Sequence, residues 1–174
     1  MRKLKLQMQT TVNGFVAGPN GELDWMTWDW DSELKNFASQ LHEPVDTILL
    51  GRKMTDGFVK HWESVLKDPE DESYEFAKLM VDTPKIVFSK TLEKSEWNNT
   101  EIAGKGDLAE EVNRIKNRPG GDIIVYGGAG FVSSLIDADL IKEPTDKNVV
   151  RAMAVTRGEI TGVNRVAGSW SLNR

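Results

Sequence analysis

Two stretches of this chain have the residue types and spacing that bind phosphate. Gly51-Arg52-Lys53-Met54-Thr55 follows the apolar run Ile48-Leu49-Leu50, and Gly127-Gly128-Ala129-Gly130 follows Ile123-Ile124-Val125-Tyr126. In each, a short buried strand turns through glycine into helical spacing: Met54, Phe58 and Trp62 after the first, Phe131, Val132, Leu135 and Ile136 after the second. A strand that enters a helix in this way aims unpaired N–H groups and the positive end of the helix dipole at the turn. Arg52, Lys53 and Thr55 add charge and a hydroxyl to the first turn. Glycine turns after strands are common and most hold no ligand, but two in one chain suit a diphosphate gripped from both sides. The second turn is not a Rossmann fingerprint, because Ser133 stands where the third glycine belongs and no strand ending in an acid follows at the expected distance.

A third stretch bears on which nucleotide would fit. Ser89-Lys90-Thr91 closes the apolar run Ile86-Val87-Phe88, and two hydroxyls around a lysine suit an additional monoester phosphate, which favours NADP over NAD. Ordinary turn chemistry uses the same residues. Upstream, Asp24, Trp25, Trp28, Asp29, Trp30, Asp31 and Glu33 crowd aromatics and carboxylates together before a helix. The tryptophans are either a lid packed on the core or a wall for a flat heterocycle, and a neighbouring carboxylate there could deliver a proton. Asp24, Asp29, Asp31 and Glu33 all compete for that role.

The elements that must position these groups follow from periodicity. Residues 3–9 alternate polar and apolar as a strand with one buried face; Leu34, Phe37, Ala38 and Leu41 mark a helix capped at Asp31 or Ser32 and closed by Pro44. Strands are expected over 45–50, 85–88 and 123–126 and, less regularly, 97–102. Helices are expected after 51, around 74–80, and from Asp107, with Glu110 three residues on. Alternating strands and helices with no repeat or linker before Ile141 predict one α/β domain over 1–174: a central, mostly parallel twisted sheet with helices on both faces.

Composition narrows the function. Among 174 residues there are no cysteines and two histidines, which exclude disulfides, thiolate metal sites, a cysteine nucleophile and a three-histidine metal site. His61, beside Trp62, reads as a surface or partly packed residue. A net charge of -5 argues against a nucleic-acid surface, and no apolar stretch reaches membrane-span length. No signal-peptide core opens the chain, so a cytoplasmic location is expected.

Taken in order and spacing, Thr11-Val12-Asn13-Gly14-Phe15-Val16-Ala17, Ile48 through Thr55, Ile86 through Ser89 and Ile123 through Gly130 resemble the dihydrofolate reductase-like superfamily, specifically its bacterial riboflavin-biosynthesis reductase branch. The resemblance covers residues 1–141 and implies NADPH-dependent hydride transfer to a pyrimidine, such as a 5-amino-6-ribosylaminouracil, or to a pterin-like ring. It further implies that Gly51, Arg52, Lys53 and Thr55 face Gly127, Gly128, Ala129 and Gly130 across the diphosphate. Ser89 and Lys90 would lie near the ribose phosphate, Thr10, Thr11 and Gly14 near the nicotinamide, and Trp25 and Trp28 on the substrate side with Asp24, Asp31 or Glu33 as proton donor. No metal is implied.

The tail over 142–174 departs from the family, through divergence or a shifted reading frame. Without the family's closing strands the first strand would present an apolar edge, making a homodimer an expectation. Val149-Val150, Met153 to Val155, or 159–163 could instead supply a substitute strand. The alternatives to a riboflavin-type reductase are a dihydrofolate reductase proper and a module that binds NADPH without turnover.

Overall fold

The computed structural model describes residues 1–10, 16–18, 20, 22–23, 31–141 and 150–154; of Thr10 and 150–154 only the backbone is described. The strands are β1 (Leu4–Thr10), β2 (Val45–Gly51), β3 (Lys85–Phe88), β4 (Thr100–Ala103), β5 (Asp122–Val125) and β6 (Val150–Ala154). The helices are α1 (Ser32–His42), α2 (Arg52–Val65), α3 (Tyr74–Asp82), α4 (Leu108–Lys116) and α5 (Ala129–Asp137). The strands form one sheet in the order β4-β3-β2-β5-β1-β6, and every described pairing is parallel.

Alternation along the strands builds two cores. Leu4, Leu6, Leu49, Ile86, Ile123 and Val125 pack with Val112 and Ile115 of α4 and Val132 and Leu135 of α5. Ile48, Leu50, Val87 and Ile124 turn the other way, onto Leu41 of α1, Phe58, Val59 and Trp62 of α2, and Ala77 and Met80 of α3. Connectivity explains the split. The steps from β1 to β2, β2 to β3 and β3 to β4 all run toward the β4 edge, whereas those from β4 to β5 and β5 to β6 run back. Right-handed crossovers therefore send α1, α2 and α3 to one face and α4 and α5 to the other. The expected α/β architecture with helices on both faces is what forms.

Local signals set most boundaries. Asp31 is the cap of α1, accepting from Leu34 N at 2.8 Å, and Asp107 caps α4, accepting from Glu110 N at 3.0 Å. The glutamate that reaches back is Glu111, however, which accepts from Gly104 N and, at 2.7 Å, from Gly106 N. The strand expected over 97–102 starts only at Thr100, because Ser95 Oγ accepts from Trp97 N and Asn99 has a positive φ of 49°.

The open edge expected beside β1 is not there. Residues Val150–Ala154 pair with β1 from Leu6↔Val150 to Thr10↔Ala154. At the amino end of the sheet, Arg2 Nε donates to Gly121 O at 2.6 Å while its Nη2 donates to Asp46 and, at 2.7 Å, to Thr47 Oγ1. One side chain thereby ties the start of β1 to β2 and to the loop before β5.

Candidate functional site

β2 and β5 are neighbours whose chains leave in opposite directions and on opposite faces, so the crevice beyond their carboxyl ends is a topological switch point, where open α/β sheets bind ligands. Both glycine turns lie there. The pairs Leu49↔Val125 and Gly51↔Phe88 put the turns level with each other and with the end of β3. The two turns touch: a Cβ on Gly51 would sit 2.8 Å from Phe131 Cβ, and one on Gly128 would sit 3.6 Å from Met54 Cβ. Phe131 also stacks on Phe88, with ring centroids 4.9 Å apart. The two motifs thus face one another across a single crevice.

Each turn leaves backbone amides for an outside acceptor. Gly51 caps α2 and Gly128 caps α5, and neither helix has a side-chain cap. Gly127 and Gly128 have φ of 105° and 83°, a conformation that side chains with a Cβ avoid. A Cβ on Gly127 would also close to 3.1 Å on Met8 Cε of β1. At the other turn Arg52 and Lys53 are exposed, whereas Thr55 is fully buried and donates from Oγ1 to Gly51 O at 3.1 Å. Thr55 therefore fixes the turn from behind. A site lined by free amides and two cations suits an anionic diphosphate.

Beside this crevice, at the end of β3, Ser89 is buried and its Oγ accepts from Thr91 N at 3.2 Å and Leu92 N at 3.0 Å. Its hydroxyl organises the turn. The exposed cations there are Lys90 and Lys105, the latter bonded to Lys90 O at 3.3 Å and paired with Glu93 at 2.9 Å. Sequence reasoning missed Lys105 because it arrives from the end of β4, a neighbour only in the folded sheet.

The family model of the RibD C-terminal domain matches residues 2–145, a span that includes every element of the switch-point crevice. The chain belongs to that family. Among its relatives, YyaP of Bacillus subtilis is 37% identical over 142 residues, covering 82% of this chain and 71% of that protein. YwjB of the same organism is 26% identical over 142 residues, covering 82% of this chain and 73% of its own length. Among solved structures, a diaminohydroxyphosphoribosylaminopyrimidine deaminase/5-amino-6-(5-phosphoribosylamino)uracil reductase from Thermotoga maritima shares the fold. It has a TM-score of 0.50 and 18% identity over 79% of this chain and 42% of that longer one.

In this RibD C-terminal domain the remaining candidate residues divide sharply. Asp31 is exposed and caps α1 through Oδ1, and Glu33 is exposed in the same first turn. Asp24, Trp25, Trp28, Thr11 and Gly14 lie outside the described residues. His61 is exposed on α2, edge-on to Trp62. Among the described residues no three His, Cys, Asp or Glu side chains cluster as a metal site, and no helix is long and apolar enough to cross a membrane. A cleft of about 470 Å³ does open at the amino end of the strands around Arg2, Lys3, Lys116 and Arg118. It is remote from the glycine turns, and Arg2 in its wall is already spent on Gly121, Asp46 and Thr47.

Proposed function

We propose that the protein is an NADPH-dependent reductase acting on a pyrimidine of the 5-amino-6-ribosylaminouracil kind or on a pterin-like ring. The observation that carries this reading is the meeting of two helix N-termini, neither with a side-chain cap, at the β2/β5 switch point. The residues fit the coenzyme. Gly51, Arg52 and Lys53 would hold one side of the diphosphate, and the backbone of Gly127, Gly128, Ala129 and Gly130 the other. Thr55 keeps the first turn in shape, and Lys90 with Lys105 would neutralise a further phosphate monoester, with Ser89 bracing their loop.

When bound, NADPH supplies a hydride to an electron-poor ring or imine carbon. The protein's own task is then to exclude water, orient the ring and place a proton at the neighbouring nitrogen. Asp24, Asp31 and Glu33 are the candidates for that proton, with Trp25 and Trp28 flanking the ring. Such chemistry requires no protein nucleophile, in keeping with a chain lacking cysteine.

The test is a paired titration and turnover assay. Micromolar NADPH should quench tryptophan fluorescence more strongly than NADH does, and the coenzyme should be oxidised with the ribosylaminopyrimidinone or with dihydrofolate. Folded protein that binds neither nucleotide would end this reading. A second reading, a module that binds NADPH without turnover, draws support from the tail, since the family match stops at residue 145. Binding without oxidation across both substrates would select it.

A further inference from the structure

Among the described residues, four buried side-chain atoms have no hydrogen-bond partner: Gln7 Oε1, Gln9 Oε1, His42 Nε2 and Tyr126 OH. A buried polar atom without a partner keeps the full cost of its lost hydration, so such groups are rare unless something else engages them. All four lie on one face of the sheet. Leu4 and Leu6 point to the α4 and α5 side, so Gln7 and Gln9, which follow the opposite alternation, point toward α1. Tyr126 packs on that same side, 5.3 Å from the Phe58 ring and stacked 5.5 Å from His42. Because Leu6 pairs with Val125, Gln7 and Tyr126 are the next residues along adjacent strands.

The row is anchored at one end, and the residues that carry it become more exposed toward the other. Lys5, one step below Gln7, is fully engaged with Leu41 O and Asp122, each at 3.0 Å. Burial then decreases toward the carboxyl ends: Gln7 and His42 are buried, whereas Gln9 and Tyr126 are half-buried. That is the end where the glycine turns lie.

Its chemistry has a definite sense. His42 Nδ1 is 2.6 Å from Ala38 O, and because a carbonyl only accepts, the proton sits on Nδ1 and leaves Nε2 as an acceptor. With two amide oxygens, the row offers three acceptors and one hydroxyl that can turn either way. We propose that this row reads the substrate's ring, with Gln7, Gln9 and Tyr126 as specificity-determining residues that select a planar heterocycle rich in N–H donors. His42 is a positioning residue that supports the Tyr126 ring. The inference rests on the reading of the carboxyl end as the reductase site, and names the contacts that read the ring there.

The experiment is calorimetric binding of 2,4-diaminopyrimidine and of unsubstituted pyrimidine, each with and without NADPH, to the wild-type protein, Tyr126→Phe and Gln7→Leu. Wild type should prefer the diamine, and either variant should lose about tenfold of that affinity, the equivalent of one hydrogen bond. NADPH affinity should be unchanged. Because each substitution removes an orphan and keeps the packing volume, the unliganded variants should melt no lower than wild type, which separates lost recognition from misfolding. Equal binding of the two pyrimidines by wild type, or a preference for the diamine that survives both substitutions, would overturn the proposal. A failure of NADPH alone to bind would count against the coenzyme reading and leave the diamine result interpretable.

Discussion

Arg52 stands exposed in the first turn of α2, where a cation adds to the amides of an N-terminus that has no side-chain cap. Arg52→Ala should weaken NADPH binding about ten- to a hundredfold, the worth of a charge-assisted hydrogen bond of about 1.5–3 kcal/mol. A fluorescence titration would show it, and an unchanged Kd would put Arg52 outside the site. His42 makes a different prediction. Burial, with Lys5 nearby, holds its imidazole below the usual 6.5, so the folded state resists a proton that the unfolded chain accepts. Its stabilising effect is therefore full above pH 6.5 and is lost as the pH falls below that value, down to the lowered folded pKa. Urea midpoints at neutral and mildly acidic pH should converge when His42→Phe is compared with wild type, because that substitution removes the titrating group. Neither His42's burial nor that of Lys5 was legible in the sequence, where Lys5 falls on the polar side of an alternating strand and His42 at the end of a helix; each is buried because α1 folds across β1.

Among the elements, the strands and helices were largely readable, because alternation and the i, i+3, i+4 spacing are local. The exceptions have local causes too, such as the turn at Ser95 and Asn99 that delays β4, and the use of Glu111 in place of Glu110. The two glycine turns separate two kinds of constraint. Gly128 has room for a Cβ but a φ of 83°, so Gly128→Ala should cost about 1–2 kcal/mol of backbone strain and lower the melting temperature by a few degrees. Gly51 has an ordinary φ of -78°, but its added Cβ would meet Phe131 Cβ at 2.8 Å. Gly51→Ala should therefore push α5 from α2 and weaken both stability, by about 1–3 kcal/mol, and coenzyme binding. Thermal melts with NADPH titrations would check both, and a fully stable Gly51→Ala with wild-type affinity would mean that the two helices need not be this close.

For the whole molecule, the order of the sheet was beyond the sequence reading, since no local pattern says that β5 inserts between β1 and β2. That insertion makes the switch point and brings the two turns together; the family resemblance anticipated the pairing where periodicity could not. The tail's register was equally unreadable, and Val150–Ala154 occupies the β1 edge that had been expected to lie open. Among the described strands, a homodimer formed edge to edge would have to use β4 or β6. At the opposite end, Arg2→Met should destabilise the fold by about 1–3 kcal/mol through lost hydrogen bonds to Gly121, Asp46 and Thr47, yet leave NADPH affinity within about twofold of wild type. The most direct measurement of the whole scheme is amide hydrogen exchange with and without saturating NADPH. Protection should rise together over residues 51–55 and 127–131 and stay unchanged around Arg2 and Arg118. Protection at only one of the two turns, or at the amino-end cleft instead, would contradict a coenzyme held between them.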